Sequence, residues 1–142
     1  MARQIFVTEI DRDRLQKLIN KDKEFSPGKE DYLRNLEQEL DRAQVVTSAE
    51  IPQDTITMNS KVLLKELDSG EEMIYTLVYP DDADLTNDKI SVLAPVGTAI
   101  LGLREGDIID WKVPDGLVKL EVKKILYQPE AAGKLESKSN NR

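Results

Sequence analysis

A change of hydrophobic period near residue 48 constrains the fold most. From Thr8 to about Val46, apolar residues recur at spacings of three and four among charged positions, the period of amphipathic helix. Beyond Thr47 the apolar residues gather into short runs rich in β-branched side chains, separated by turn residues, which reads as strands. Helix followed by strands defines an α+β chain. With 142 residues, the length suits one small domain and an appendage. The expected boundaries are 1–47 for a helical hairpin and 48–129 for a sheet domain. Residues 130–142 are polar, and their composition predicts a disordered tail.

Within the first part, Leu15, Leu18 and Phe25 share a seam that Asp22 interrupts, and Ile19 widens it by one position. Leu33, Leu36, Leu40 and Ala43 form a second, unbroken seam. Between them, Ser26-Pro27-Gly28 breaks the helix, and Ser26 can cap the next one. Thr8 followed by Asp11 resembles a capping box. The expectation is a short antiparallel coiled coil projecting about 22–28 Å.

In the second part, Thr55–Asn59, Lys61–Leu67, Glu72–Tyr79, Ile90–Leu93, Ile108–Val113 and Leu117–Tyr127 are the expected strands. Asp68-Ser69-Gly70 and Pro114-Asp115-Gly116 serve as hairpin turns. Pro95 opens a short helix through Leu101, apolar nearly all round and so expected inside a curled antiparallel sheet. Tyr75, Tyr79, Trp111 and Tyr127 fall in strands and are expected to pack in the core.

The chemistry is narrowed by what is missing. The chain has no cysteine and no histidine, which removes disulfides, thiolate nucleophiles, imidazole bases and zinc sites built on either residue. The net charge is −7, the wrong sign for an independent nucleic-acid binder. No apolar run approaches the roughly 18 residues of a membrane span. Met1 to Phe6 lead directly into charged sequence, so a cytoplasmic protein is expected. Residues 47–129 carry the excess of acid over base, and a partner of that half should offer a basic surface.

Two acidic groups are candidate sites. Asp22, Glu24, Glu30 and Asp31 surround the hairpin turn and could help hold Mg²⁺, but Lys21, Lys23 and Lys29 stand among them, and a solvated tip is the favoured reading. Asp81, Asp82 and Asp84, with Asp88 beyond, lack the glycine and terminal glutamate of a calcium loop. They read as a solvated loop or a protein contact. Gly97, Gly102 and Gly106 do not form a phosphate loop, since Leu103-Arg104 follow where lysine and a hydroxyl residue are needed. No cofactor, metal or catalytic residue is expected.

The run Ile90-Ser91-Val92-Leu93-Ala94-Pro95-Val96-Gly97-Thr98-Ala99-Ile100-Leu101-Gly102, with Gly106-Asp107 after it, resembles the carboxy-terminal domain of Gre-type transcript cleavage factors. Thr57-Met58-Asn59-Ser60-Lys61-Val62, Leu77-Val78-Tyr79-Pro80 and Tyr127-Gln128-Pro129-Glu130-Ala131-Ala132-Gly133 are similar to one branch, the regulators of nucleoside diphosphate kinase. The resemblance covers roughly residues 8–133. It implies an FKBP-like domain behind a coiled coil, with RNA polymerase as partner and docking at the rim of its secondary channel. It places the docking face at Pro80, Asp81, Asp82 and Asp84 with Ala94, Pro95 and Val96. In Gre factors the coiled coil presents acids that help hold the catalytic magnesium. Gre helices are about twice as long, so at 1.5 Å per residue this tip stops short and cleavage is not expected. A role in the nucleoside diphosphate kinase pathway and an FKBP-like prolyl isomerase activity are the alternatives. Fold similarity alone does not carry the latter.

Overall fold

The computed structural model describes residues 5–25, 30–113 and 116–133. Strand β1 (Phe6–Thr8) leads into helix α1 (Glu9–Phe25), and α2 (Glu30–Arg42) follows and packs against it. The Thr8 hydroxyl accepts from the Asp11 N–H at 3.1 Å, satisfying one of the donors that a helix start leaves open. Leu15 and Ile19 from α1 meet Leu33, Leu36 and Leu40 from α2 in the core. Ile19 thus occupies the centre of the first seam, while Leu18 is only half-buried.

Helix does not continue to Val46. It ends at Arg42, and β2 (Gln44–Val46) pairs in parallel with β1. Val45 and Val46 are stiff at χ1 and favour extended backbone, and the Gln44 N–H donates to Ile5 O at 2.9 Å. This two-stranded base was not apparent from the helical period.

The main sheet contains β3 (Lys61–Glu66), β4 (Glu72–Val78), β5 (Lys89–Ser91), β6 (Ile108–Val113) and β7 (Gly116–Tyr127), in the order β5-β4-β3-β7-β6. It is mixed, which corrects the expected antiparallel sheet: β5 runs parallel to β4. The connection between them carries one-turn 3-10 helices at Pro80–Asp82 and Leu85–Asn87. That length lets the chain return to the start of the neighbouring strand, which a tight hairpin cannot do. Thr55–Asn59 is not a strand. Thr57 N–H donates to Ser60 Oγ at 2.9 Å, and Asn59 takes φ +68°, a left-handed conformation that Asn tolerates better than most residues.

Helix α3 (Pro95–Ile100) is not enclosed by the sheet. It packs against α2, and a groove of about 240 Å³ between the two helices is lined by Tyr32, Asn35, Gln38, Leu93 and Pro95. The inner side buries Gly97, Thr98 and Ile100. A Cβ at Gly97 would collide with the Ser91 carbonyl oxygen, so only glycine permits this approach.

Among the described residues a shared core joins both parts: Ile5, Val7 and the helical leucines meet Ile56, Met58, Leu77, Val92, Ile100 and Leu103. Tyr75 and Tyr79 pack against it, whereas Tyr127 is exposed beside a buried Gln128. The Trp111 side chain lies outside the described residues. Glu130 to Gly133, assigned on composition to the tail, form a turn: Glu130 Oε1 accepts from the Thr57 hydroxyl at 2.8 Å, and Gly133 N–H donates to Glu130 O at 3.2 Å. Residues 134–142 lie outside the described part.

Candidate protein-docking edge

Because β4 and β5 are parallel, their carboxy-terminal ends open at the same end of the sheet. Leu77 pairs with Ile90 and Val78 with Ser91, and the Val92 N–H closes on Val78 O at 2.9 Å. The chain leaves β4 through Tyr79 into Pro80, Asp81 and Asp82, and leaves β5 through Val92 and Leu93 into Ala94, Pro95 and Val96. Two segments separated in sequence by the intervening loop are thereby carried to one edge.

The backbone holds both in place. Asp82 N–H donates to Tyr79 O at 2.9 Å and Ala94 N–H to Ser91 O at 3.0 Å. Asp81, Asp82 and Pro95 are exposed, and Pro80, Ala94 and Val96 are half-buried. Asp84 is exposed but has another task. Its Oδ1 accepts from Thr86 N–H at 3.1 Å and its Oδ2 from Asn87 Nδ2 at 2.7 Å, and its backbone bridges Lys89. Asp84 closes the loop that presents the other two.

Near this edge one residue escaped the sequence reading, and a second was read only as part of a helix cap. Leu85 is 80% exposed among the aspartates; an apolar residue in an acidic loop was the available signal. Asp11 is 1% exposed, and its carboxylate accepts from Met58 N–H at 3.2 Å and from the Tyr79 hydroxyl at 3.4 Å. No local pattern pairs a first-turn helix residue with partners so far along the chain.

Asp22 and Glu24 fall at the end of α1, and Glu30 and Asp31 at the start of α2. Their side chains, and residues 26–29 between the helices, lie outside the described part of the structure. Among the described residues no three acidic groups gather to hold a metal ion, and no helix is long and apolar enough to cross a membrane.

Charge elsewhere serves the scaffold. The Asp54 carboxylate accepts two hydrogen bonds from the Arg104 guanidinium, at 2.9 and 3.1 Å, and these bonds, with the attraction of opposite charges, raise the Arg104 pKa. The Lys119 ammonium is raised in the same way by its hydrogen bond to Asp110. A cleft of about 490 Å³ is bordered by Asp54, Glu105, Ile125, Tyr127 and Gln128.

Comparison with known proteins gives this arrangement a family. The profile for "Transcription elongation factor, GreA/GreB, C-term" matches residues 51–127. The chain belongs to the GreA/GreB family. Residues 3–46 match the Rnk N-terminus, which puts this Gre-family chain on the branch of the regulators of nucleoside diphosphate kinase. Such a regulator from Escherichia coli (strain K12) is 52% identical over 99 residues, 69% of this chain and 73% of that protein. Transcription elongation factor GreA of Clostridium botulinum (strain Alaska E43 / Type E3) is 43% identical over 101 residues, 71% of this chain and 61% of the other. The solved GreA/GreB elongation factor from Nitrosomonas europaea superposes with a TM-score of 0.72 at 41% identity, covering 89% of this chain and all of that one. Gre-family membership agrees with the mixed helix-and-sheet architecture and with a role in transcription regulation.

Proposed function

We propose that the chain is an RNA polymerase-binding regulatory factor that docks near the secondary channel and competes with other channel-binding factors without cleaving the transcript. The observation that carries this reading is the shared edge: Pro80, Asp81, Asp82, Ala94, Pro95 and Val96 emerge together from the parallel β4–β5 pair in a Gre-family chain. Exposed carboxylates beside half-buried apolar groups suit a basic, partly apolar protein surface. An interface of about 800 Å² per partner is within reach of a domain this size.

The helices support the second half of the proposal. With 17 and 13 residues, α1 and α2 extend about 26 and 20 Å at 1.5 Å per residue. On this reading residues 1–47 act as a short hairpin at the channel mouth, and residues 48–129, with an FKBP-like sheet, supply the docking. Asp22, Glu24, Glu30 and Asp31 then form a solvated tip that stops short of a catalytic magnesium. The chain acts in the cytoplasm, needs no cofactor and does not bind nucleic acid strongly by itself.

The test is displacement of labelled Gre factor from core RNA polymerase, with RNA cleavage scored in the same stalled complexes. Displacement without cleavage is expected. Asp81→Lys and Pro95→Ala should each weaken displacement, the charge reversal by about tenfold. Variants that compete as well as the intact chain overturn the docking edge, and cleavage overturns the short-arm reading. Absence of binding at micromolar concentration would turn attention to direct contact with nucleoside diphosphate kinase.

A further inference from the structure

We propose that Asp11 is the positioning residue that fixes the direction of the helical pair relative to the docking edge. Apolar packing holds the base of α1 against the sheet, but the hydrophobic effect is non-directional, and a helix seated on a greasy base can rock. Hydrogen bonds are directional. The Asp11 carboxylate accepts on different oxygens from different segments: Met58 N–H on the loop entering β3, and the Tyr79 hydroxyl at the exit of β4. The helix itself is registered by the Thr8–Asp11 cap at 3.1 Å. One buried side chain therefore joins the first turn of α1 to two points of the sheet part.

The second of those points matters most. Tyr79 is the residue immediately before Pro80, and its carbonyl accepts from Asp82 N–H at 2.9 Å. Through Tyr79 the first turn of α1 is coupled to the loop that presents Asp81 and Asp82. A partner that grips the edge then meets helices already aimed, and a shift of either part is transmitted to the other. This consequence for binding rests on the docking reading above; the clamp itself does not.

The absence of native cysteine makes the clamp measurable by paired spin labels. Lys17→Cys on α1 and Lys61→Cys on β3, both at exposed positions, report the distance between the two parts in the free chain. The intact chain should give one narrow distribution. Asp11→Ala should broaden it by roughly twofold or more, as a hinge released at one tie would. Tyr79→Phe should broaden it less, and Asp11→Asn, which keeps an acceptor oxygen, should restore most of the narrow width. Unchanged widths in Asp11→Ala and Tyr79→Phe overturn the clamp. Should Asp11→Ala lose its cooperative melt, Tyr79→Phe decides alone, since it leaves the ring in place. In the displacement assay, Asp11→Ala should compete about tenfold more weakly although the edge residues are untouched. Polymerase that ignores even the intact chain would sink the docking reading while leaving the distance measurement to judge the clamp.

Discussion

The helical pair and the sheet part bury apolar surface in different ways. Each helix offers one narrow stripe, Leu15 and Ile19 on α1 and Leu33, Leu36 and Leu40 on α2, and the remaining described positions are mostly charged or polar. The sheet part buries residues from β3, β4, β5, α3 and β7 together, and its ladders satisfy the backbone at the same time. A single stripe seldom sustains short helices, whose stability comes mainly from tertiary packing. The helices therefore depend on the sheet more than the sheet depends on them, and the common core is where that dependence is met.

The sharpest way to break this comparison is to hollow each side in turn. Leu36→Ala in α2 and Leu77→Ala in β4 both remove side chains with no exposure, and each should cost about 2–5 kcal/mol. If the core is truly shared, both variants shift one urea transition to lower midpoint. A second, earlier transition in Leu36→Ala alone would show that the helices melt separately. Gly97→Ala comes next. The new methyl meets the Ser91 carbonyl, α3 must move off the sheet, and a loss of about 1–3 kcal/mol is expected. It should weaken displacement of Gre factor as well, because Pro95 and Val96 ride on α3.

A smaller effect of opposite sign is expected at Thr55. Its hydroxyl is buried without a hydrogen-bond partner among the described residues. Thr55→Val removes the unmet group at nearly constant volume and should stabilise the chain by about 1 kcal/mol, read as a higher melting temperature. The smallest effect belongs to Glu50. The Thr47 N–H donates to its carboxylate at 3.1 Å, and this bond, helped by the Thr47 side chain, lowers its pKa from the ordinary glutamate value. A carboxyl lowered in the folded state contributes its stability above the unfolded value and loses it as pH falls through the folded one. The melting difference between the intact chain and Glu50→Gln should therefore be present near neutral pH and vanish in acid. A difference that grows on acidification would refute the assignment.

Much of the architecture was legible because it rests on local rules. The leucine seam of α2, Pro95 at a helix start and Asp68-Ser69-Gly70 at a turn each act within a few residues. Where local rules misled, a distant partner had intervened. Gln44–Val46 became a strand because β1 lay ready to pair with it, and Thr55–Asn59 stayed out of the main sheet because its N–H groups went to distant acceptors, Ile56 to Leu103 O, Met58 to Asp11 and Asn59 to Leu77 O. Glu130 joined the ordered chain through Thr57. The residues of the proposed docking edge were named by the family resemblance, yet their common exit from the sheet was not, since it follows from β5 lying parallel to β4.

Period, charge and missing residue types thus determined by themselves that two helices precede a sheet, that no thiol or imidazole chemistry is open to the chain, and where acid accumulates. Tertiary structure decided the strand order, the placement of α3 against α2, and the burial of Asp11 between Met58 and Tyr79. Helical period and turn chemistry are properties of neighbours along the chain. Strand pairing and the satisfaction of a buried carboxylate depend on groups that only folding brings together.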